Sequence, residues 1–122
     1  MEQLNNLEIE ILNAIIEENE NHYPFLKLHV PYLVVTTRIC TGVGMYFNFE
    51  YISSIPENSV NILLTSSKRL IIDRLQNEVT YVLDITFGKI SFLEIIANGG
   101  EMINKECLDN FELLSDISSK LP

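Results

Sequence analysis

The chain has 122 residues, 47 % hydrophobic and 20 % charged, which excludes a disordered chain and fits one folded domain over residues 1–122. Seventeen acidic residues against eight basic ones leave a net charge of −9, which argues against nucleic acid and anionic membranes as partners and for basic ones. No apolar run has the length of a membrane span, and Met1-Glu2-Gln3 lacks the basic start of a secretory leader, so the sequence predicts a cytoplasmic protein without a membrane partner.

The acids are placed rather than spread. Glu2, Glu8, Glu10, Glu17, Glu18 and Glu20 all precede the first basic residue, Lys27. Five acids against Lys105 occupy the stretch from Glu101 to Asp116. Cys40 and Cys107 lie far apart and read as free thiols in a reducing compartment.

The first element predicted is a helix over residues 3–20. Leu4, Leu7, Ile11, Leu12, Ile15 and Ile16 recur at helical spacing, with Glu10, Asn13, Glu17 and Glu20 opposite. Glu17, Glu18 and Glu20 sit at its C-terminal end, where the helix dipole disfavours anions. Asn19, Asn21 and Pro24 end it.

From residue 32 the period changes to two. Residues 32–41 are rich in β-branched types and residues 45–51 alternate, joined through Gly42-Val43-Gly44. A three-residue loop sets Ile39 opposite Phe47, Thr37 opposite Phe49 and Val35 opposite Tyr51, with Gly44 supplying a positive φ and Arg38 facing Asn48 on the other side. A second hairpin is predicted from 60–65 and 69–74, turning at Ser66-Ser67-Lys68. A third joins 79–86 to 89–97 at Phe87-Gly88, with Ile85 opposite Ile90, Leu83 opposite Phe92, Tyr81 opposite Glu94 and Val79 opposite Ile96. In that register Glu94 is a buried carboxylate beside the Tyr81 phenol. After Asn98-Gly99-Gly100, the spacing of Cys107, Leu108, Phe111, Leu114 and Ile117 predicts a second helix over 105–119. The fold class expected is α+β: an antiparallel sheet of five or six hairpin-connected strands, an N-terminal helix on one face and a C-terminal helix.

Candidate chemistry is sparse. Thr41-Gly-Val-Gly44 lacks the Lys-Ser/Thr and following helix of a phosphate loop, and reads as a turn. His22 and His29 have no metal-ligand companions, so no metal or cofactor is expected, and His29 reads as a structural histidine. Asp84 and Glu94 fall on opposite faces of the predicted hairpin, against paired acid–base work. Tyr46 falls on the face away from Phe47, Phe49 and Tyr51, where a tyrosine serves as an interface anchor.

Two stretches carry a resemblance. His29-Val-Pro-Tyr-Leu33 running to Thr41-Gly-Val-Gly-Met-Tyr-Phe-Asn-Phe49 is one; Tyr81-Val-Leu-Asp-Ile-Thr-Phe-Gly-Lys-Ile-Ser-Phe-Leu-Glu94, followed by Asn98-Gly-Gly-Glu101, is the other. Together they resemble small acidic bacterial proteins of mostly unassigned function, some of them immunity proteins of the contact-dependent inhibition type. The resemblance implies a fold and carries over no catalytic residue.

Three functions follow. The leading expectation is a non-catalytic immunity or antitoxin protein that neutralises a basic toxin domain by charge-complementary binding. Its predicted partner-binding residues are Glu10, Glu17, Glu18, Glu20, Tyr46, Glu101, Glu106, Asp109 and Glu112. The alternative is a small-ligand or peptide-binding module, possibly homodimeric through a sheet edge, with its pocket between helix and sheet. The third, an enzyme, requires Glu94, Tyr81 and His29 to converge in an open cleft.

Overall fold

The computed structural model describes residues 1–104 and 108–115. One α-helix, α1 (Asn6–Glu18), precedes strands β1 (Leu33–Cys40), β2 (Gly44–Tyr51), β3 (Ile62–Leu64), β4 (Arg69–Ile72), β5 (Val79–Thr86), β6 (Lys89–Ala97) and β7 (Phe111–Leu114). They form one antiparallel sheet in the order β1-β2-β6-β5-β4-β7, with β3 also on β5. The α+β class and the helix on one face agree with the sequence, while the sheet has seven strands rather than five or six.

Helix α1 starts three residues later than predicted because Asn5 caps it. The Asn5 side chain accepts from Glu8 N–H at 2.9 Å, and Glu8 accepts from Asn5 N–H at 2.8 Å, a reciprocal capping box. Leu7, Ile11, Leu12, Ile15 and Ile16 are buried against the inner face of the sheet, as their spacing predicts. From the strands this face adds Val35, Met45, Phe47, Leu83, Leu93 and Ile95. Two short 3-10 turns, Pro24–Leu28 and Val30–Tyr32, carry the chain to β1, with Pro24 at the first position of one and Pro31 at the second position of the other, where their fixed φ suits a helical start.

The β1–β2 hairpin closes on two residues, Gly42-Val43, with Thr41 N–H bonded to Gly44 C=O at 2.9 Å. Gly42, not Gly44, has the positive φ (92°), the signature of a type II′ turn. Gly44 is required for a different reason: a Cβ there would lie 2.3 Å from the Ile95 carbonyl oxygen on β6. The predicted register is therefore displaced. Ile39 faces Tyr46 and Arg38 faces Phe47; then, past a bulge at Thr36, Val35 faces Phe49 and Leu33 faces Tyr51, in place of the predicted Val35–Tyr51 and Thr37–Phe49 pairs. One extra residue turns Arg38 inward and Ile39 outward while keeping Val35, Phe47 and Phe49 buried.

The β5–β6 hairpin turns at Phe87-Gly88 as predicted, both with positive φ, the type I′ pattern. Ile85 faces Ile90 as expected, but a bulge at Ser91 shifts the remainder by one: Leu83 faces Leu93, Val82 faces Glu94 and Tyr81 faces Ile95. Glu94 consequently points out of the core, away from Tyr81, and shares the outer face with Asp84 instead of opposing it. Tyr81 is buried and donates to the Lys68 carbonyl at 2.7 Å, with Ser66 as its second partner.

The predicted second hairpin does not form. β3 pairs with residues 83–85 of β5, and β4 meets β5 at Val79, so both lie along one edge of β5 rather than on each other. Residues 65–68 are drawn away from a tight turn by the end of α1: Asn19 Nδ2 donates to Thr65 C=O at 3.0 Å, and the Glu18 carboxylate accepts from Ser67 N–H at 2.8 and 2.9 Å.

The predicted C-terminal helix is also corrected, because residues 111–114 are strand β7, paired with β4. Phe111 and Leu113, two apart, stand opposite Ile72 and Leu70 and extend the apolar face, and β4 offers them a free edge. Residues 105–107 and 116–119 of that helix lie outside the described residues.

Candidate functional site

The acids chosen from the sequence divide into those that build the fold and those that remain free. Glu18 holds the 65–68 segment, and Glu20 pairs with Lys27 at 2.6 Å. Glu101 accepts from the backbone N–H of Gln76 and Asn77 at 2.8 and 3.0 Å, contacts that hold its carboxyl below the usual range. Glu10 and Glu17 are exposed on α1. Asp109 and Glu112 are exposed near and on the β7 edge, and Glu106 lies outside the described residues. The set is thus not one surface: Glu10 and Glu17 stand on the helix that covers the inner face, whereas Glu112 faces outward opposite Ile71.

Glu8 is the acid that the sequence reading passed over. It is fully buried, and Arg38 donates to it through Nε at 2.7 Å and Nη2 at 3.0 Å while Glu2 pairs with the same guanidinium. These hydrogen bonds, Glu8 first, raise the Arg38 pKa further. A signal was present: position 8 stands four residues from Leu4 and Leu12 and three from Ile11, on the apolar stripe, and Asn5-x-x-Glu8 is a capping-box spacing.

Tyr46 lies outward as expected, at the centre of the outer face. It stands opposite Ile39 on β1 and Glu94 on β6. The neighbouring Glu94 carboxylate raises its pKa, and its ring packs edge-on against Phe92 with centroids 5.5 Å apart. Two rows cross the strands here, Ile39–Tyr46–Glu94–Val82 and Thr37–Asn48–Phe92–Asp84, and they hold two carboxylates and no cation. Among the described residues no α-helix covers this face, and its apolar side chains stay accessible, Ile39 at 49 % and Ile96 at 37 %.

A second feature opens where the sheet splits. β2 and β6 are paired only from Gly44–Ile96 to Asn48–Phe92, although β2 runs on to Tyr51 and β6 begins at Lys89. The fork holds a cavity of about 570 Å³, floored by Phe49 and Ile90 and edged by Glu50, Ser53, Ser54 and Lys89. Tyr51 spans it. Its hydroxyl accepts from Ile90 N–H at 2.8 Å and lies 2.8 Å from His29 Nδ1. Burial pushes the Tyr51 phenol up to about 12. His29 is buried, and that burial together with the Lys89 charge lowers its pKa, which favours the neutral imidazole. It is buried and hydrogen-bonded to Tyr51.

His29, Tyr81 and Glu94 are not brought together: Tyr81 is buried on the inner face with Ser66 and Lys68 as partners, Glu94 lies on the outer face, and His29 is bonded to Tyr51. No cluster of metal-ligating side chains occurs among the described residues, and none of their helices is long and apolar enough to cross a membrane. No protein-family model, curated protein or solved structure matches the chain.

Proposed function

We propose that the protein is a non-catalytic acidic binding protein of the immunity or antitoxin kind, which neutralises a basic toxin domain by covering it with the outer face of the sheet. The observation that carries this reading is the composition of that face: a Tyr46–Phe92 aromatic pair at its centre, Glu94 and Asp84 beside it, and no lysine or arginine in the two central rows. Aromatic anchors ringed by polar groups are the usual make-up of an affinity-bearing patch. Antiparallel pairing holds them on a rigid surface, so little side-chain entropy is lost on binding. Glu10, Glu17, Asp109 and Glu112 sit off this patch and act through the long-range field, speeding the approach of a cation-rich partner.

The test is capture of partners from the source cell on tagged protein at low salt, followed by elution with rising salt. The reading expects a basic protein that leaves with salt and kills cells when produced alone. Tyr46→Ala combined with Glu94→Lys and Asp84→Lys is expected to abolish its capture. Undiminished capture by the triple variant, or recovery of the protein itself alone, overturns the proposal.

A further inference from the structure

The fork between β2 and β6 is built in a way that the proposed partner surface does not require. In a continuous ladder Ile90 N–H would bond across to β2, but here the Tyr51 hydroxyl takes it. The side chain of one strand thus replaces a backbone bond and keeps the two strands apart without leaving the amide unsatisfied. The phenol is engaged by both Ile90 N–H and His29 Nδ1, so toward a visitor Tyr51 offers its ring.

Above that ring stands Lys89, its Nζ 5.6 Å from the centroid. Lys27, Arg38 and Arg69 are each paired with a glutamate; Lys89, among the described residues, is paired with no carboxylate. Lys68 and Arg74 likewise make no ion pair among the described residues, but of these three cations it is Lys89 that lines the cavity at the fork. The hydroxyls of Ser53 and Ser54 edge the same space and make no hydrogen bond within the described residues. The floor is apolar, from Phe49 and Ile90, both buried. Glu50 on the rim opposes a second negative charge, which disfavours phosphate esters and dicarboxylates. A volume of about 570 Å³ is in the range of small-molecule sites.

We infer that the fork is a binding site for a small organic monoanion, one carboxylate on an apolar body, with the carboxylate on Lys89 and the serine hydroxyls and the body on Phe49 and Ile90. The carboxylate belongs either to a free small acid or to the C-terminus of a peptide. The site is separate from the outer-face patch, and either proposal stands without the other.

Amide NMR shifts of the labelled protein, titrated with benzoate, benzamide and inorganic phosphate, test the inference. Benzoate is expected to move the amides of residues 49–54 and 89–91 saturably, with benzamide and phosphate each weaker by about tenfold or more. Lys89→Met, which keeps the stem and removes the charge, is expected to weaken benzoate by about tenfold, and Lys89→Arg to retain it. The Lys89→Met spectrum in the absence of ligand reports directly that the variant is folded. Equal binding of benzamide, tighter binding of phosphate, or an unchanged Kd in Lys89→Met overturns the proposal, as does a lack of response at these amides. An N-acetylated tripeptide with a free carboxylate then separates the two sources: affinity above that of benzoate assigns the site to chain ends, and no response assigns it to free acids. Capture of a basic partner is expected to be unchanged in Lys89→Met.

Discussion

The inner and outer faces of the sheet come from the same strands and differ in almost everything else. Inside, Phe47, Leu83, Leu93 and Ile95 are closed off from solvent, and the charge that enters, Glu8, is met by Arg38. Outside, Tyr46 and Phe92 pack on each other, Glu94 stands beside Tyr46, and the apolar side chains remain reachable. The contrast separates two demands on one sequence. The inner face holds the buried core, and the outer face leaves apolar and acidic side chains accessible to solvent.

Four measurements break or sharpen that comparison. Phe47→Ala is expected to cost about 3–5 kcal/mol in urea unfolding, whereas Phe92→Ala is expected to cost about 1 kcal/mol or less; equal losses would dissolve the distinction between faces. Arg38→Met strands a buried carboxylate and is expected to cost about 3–5 kcal/mol, most of it recovered when Glu8→Gln is added. Failure of the second change to restore stability would mean that the pair matters for packing rather than for charge. His29 predicts a smaller, pH-dependent loss. Its pKa in the fold lies below the unfolded value of 6.5, so as pH falls through 6.5 the unfolded chain takes up the proton first. Stability is therefore expected to drop below pH 6.5 until the folded pKa is passed, and His29→Gln is expected to flatten that slope in urea melts between pH 7.5 and 5. The smallest effect on stability, within about 0.5–1 kcal/mol, belongs to Tyr46→Ala; the same change is expected to cost a basic partner about 2 kcal/mol or more of affinity by titration calorimetry.

What the sequence revealed of this arrangement follows from how local each feature is. Strands β5 and β6 have the bounds that their alternation predicts, and the Phe87-Gly88 turn and the apolar stripe of α1 are where their spacing puts them. The bulges at Thr36 and Ser91 have no residue signature, yet each moves a run of side chains to the other face; Glu94 was misplaced by the bulge at Ser91, and Arg38 by the two-residue Gly42-Val43 turn combined with the bulge at Thr36. Phe111-Glu-Leu-Leu114 fits a strand or a helix, and the free edge of β4, which no local pattern encodes, decides between them. Tyr46 was legible as an outward aromatic. The fork was not, because it depends on where two strands distant in sequence stop pairing. Glu8 was legible from its place on the apolar stripe and its capping-box spacing to Asn5.

The seam between β2 and β6 also has a bearing on how quickly the chain reaches this structure. The β1–β2 and β5–β6 hairpins close on two-residue turns, events of about 1–10 μs for isolated hairpins. Joining them is slower, since the nearest seam pair, Asn48 and Phe92, is 44 positions apart and a loop of that length must be closed before any seam contact stabilises it. Gly44 sits at the far end of the seam, where the strands approach too closely for a side chain. The absence of a side chain at that one position is therefore a condition for the two ready-made hairpins to close into a single sheet.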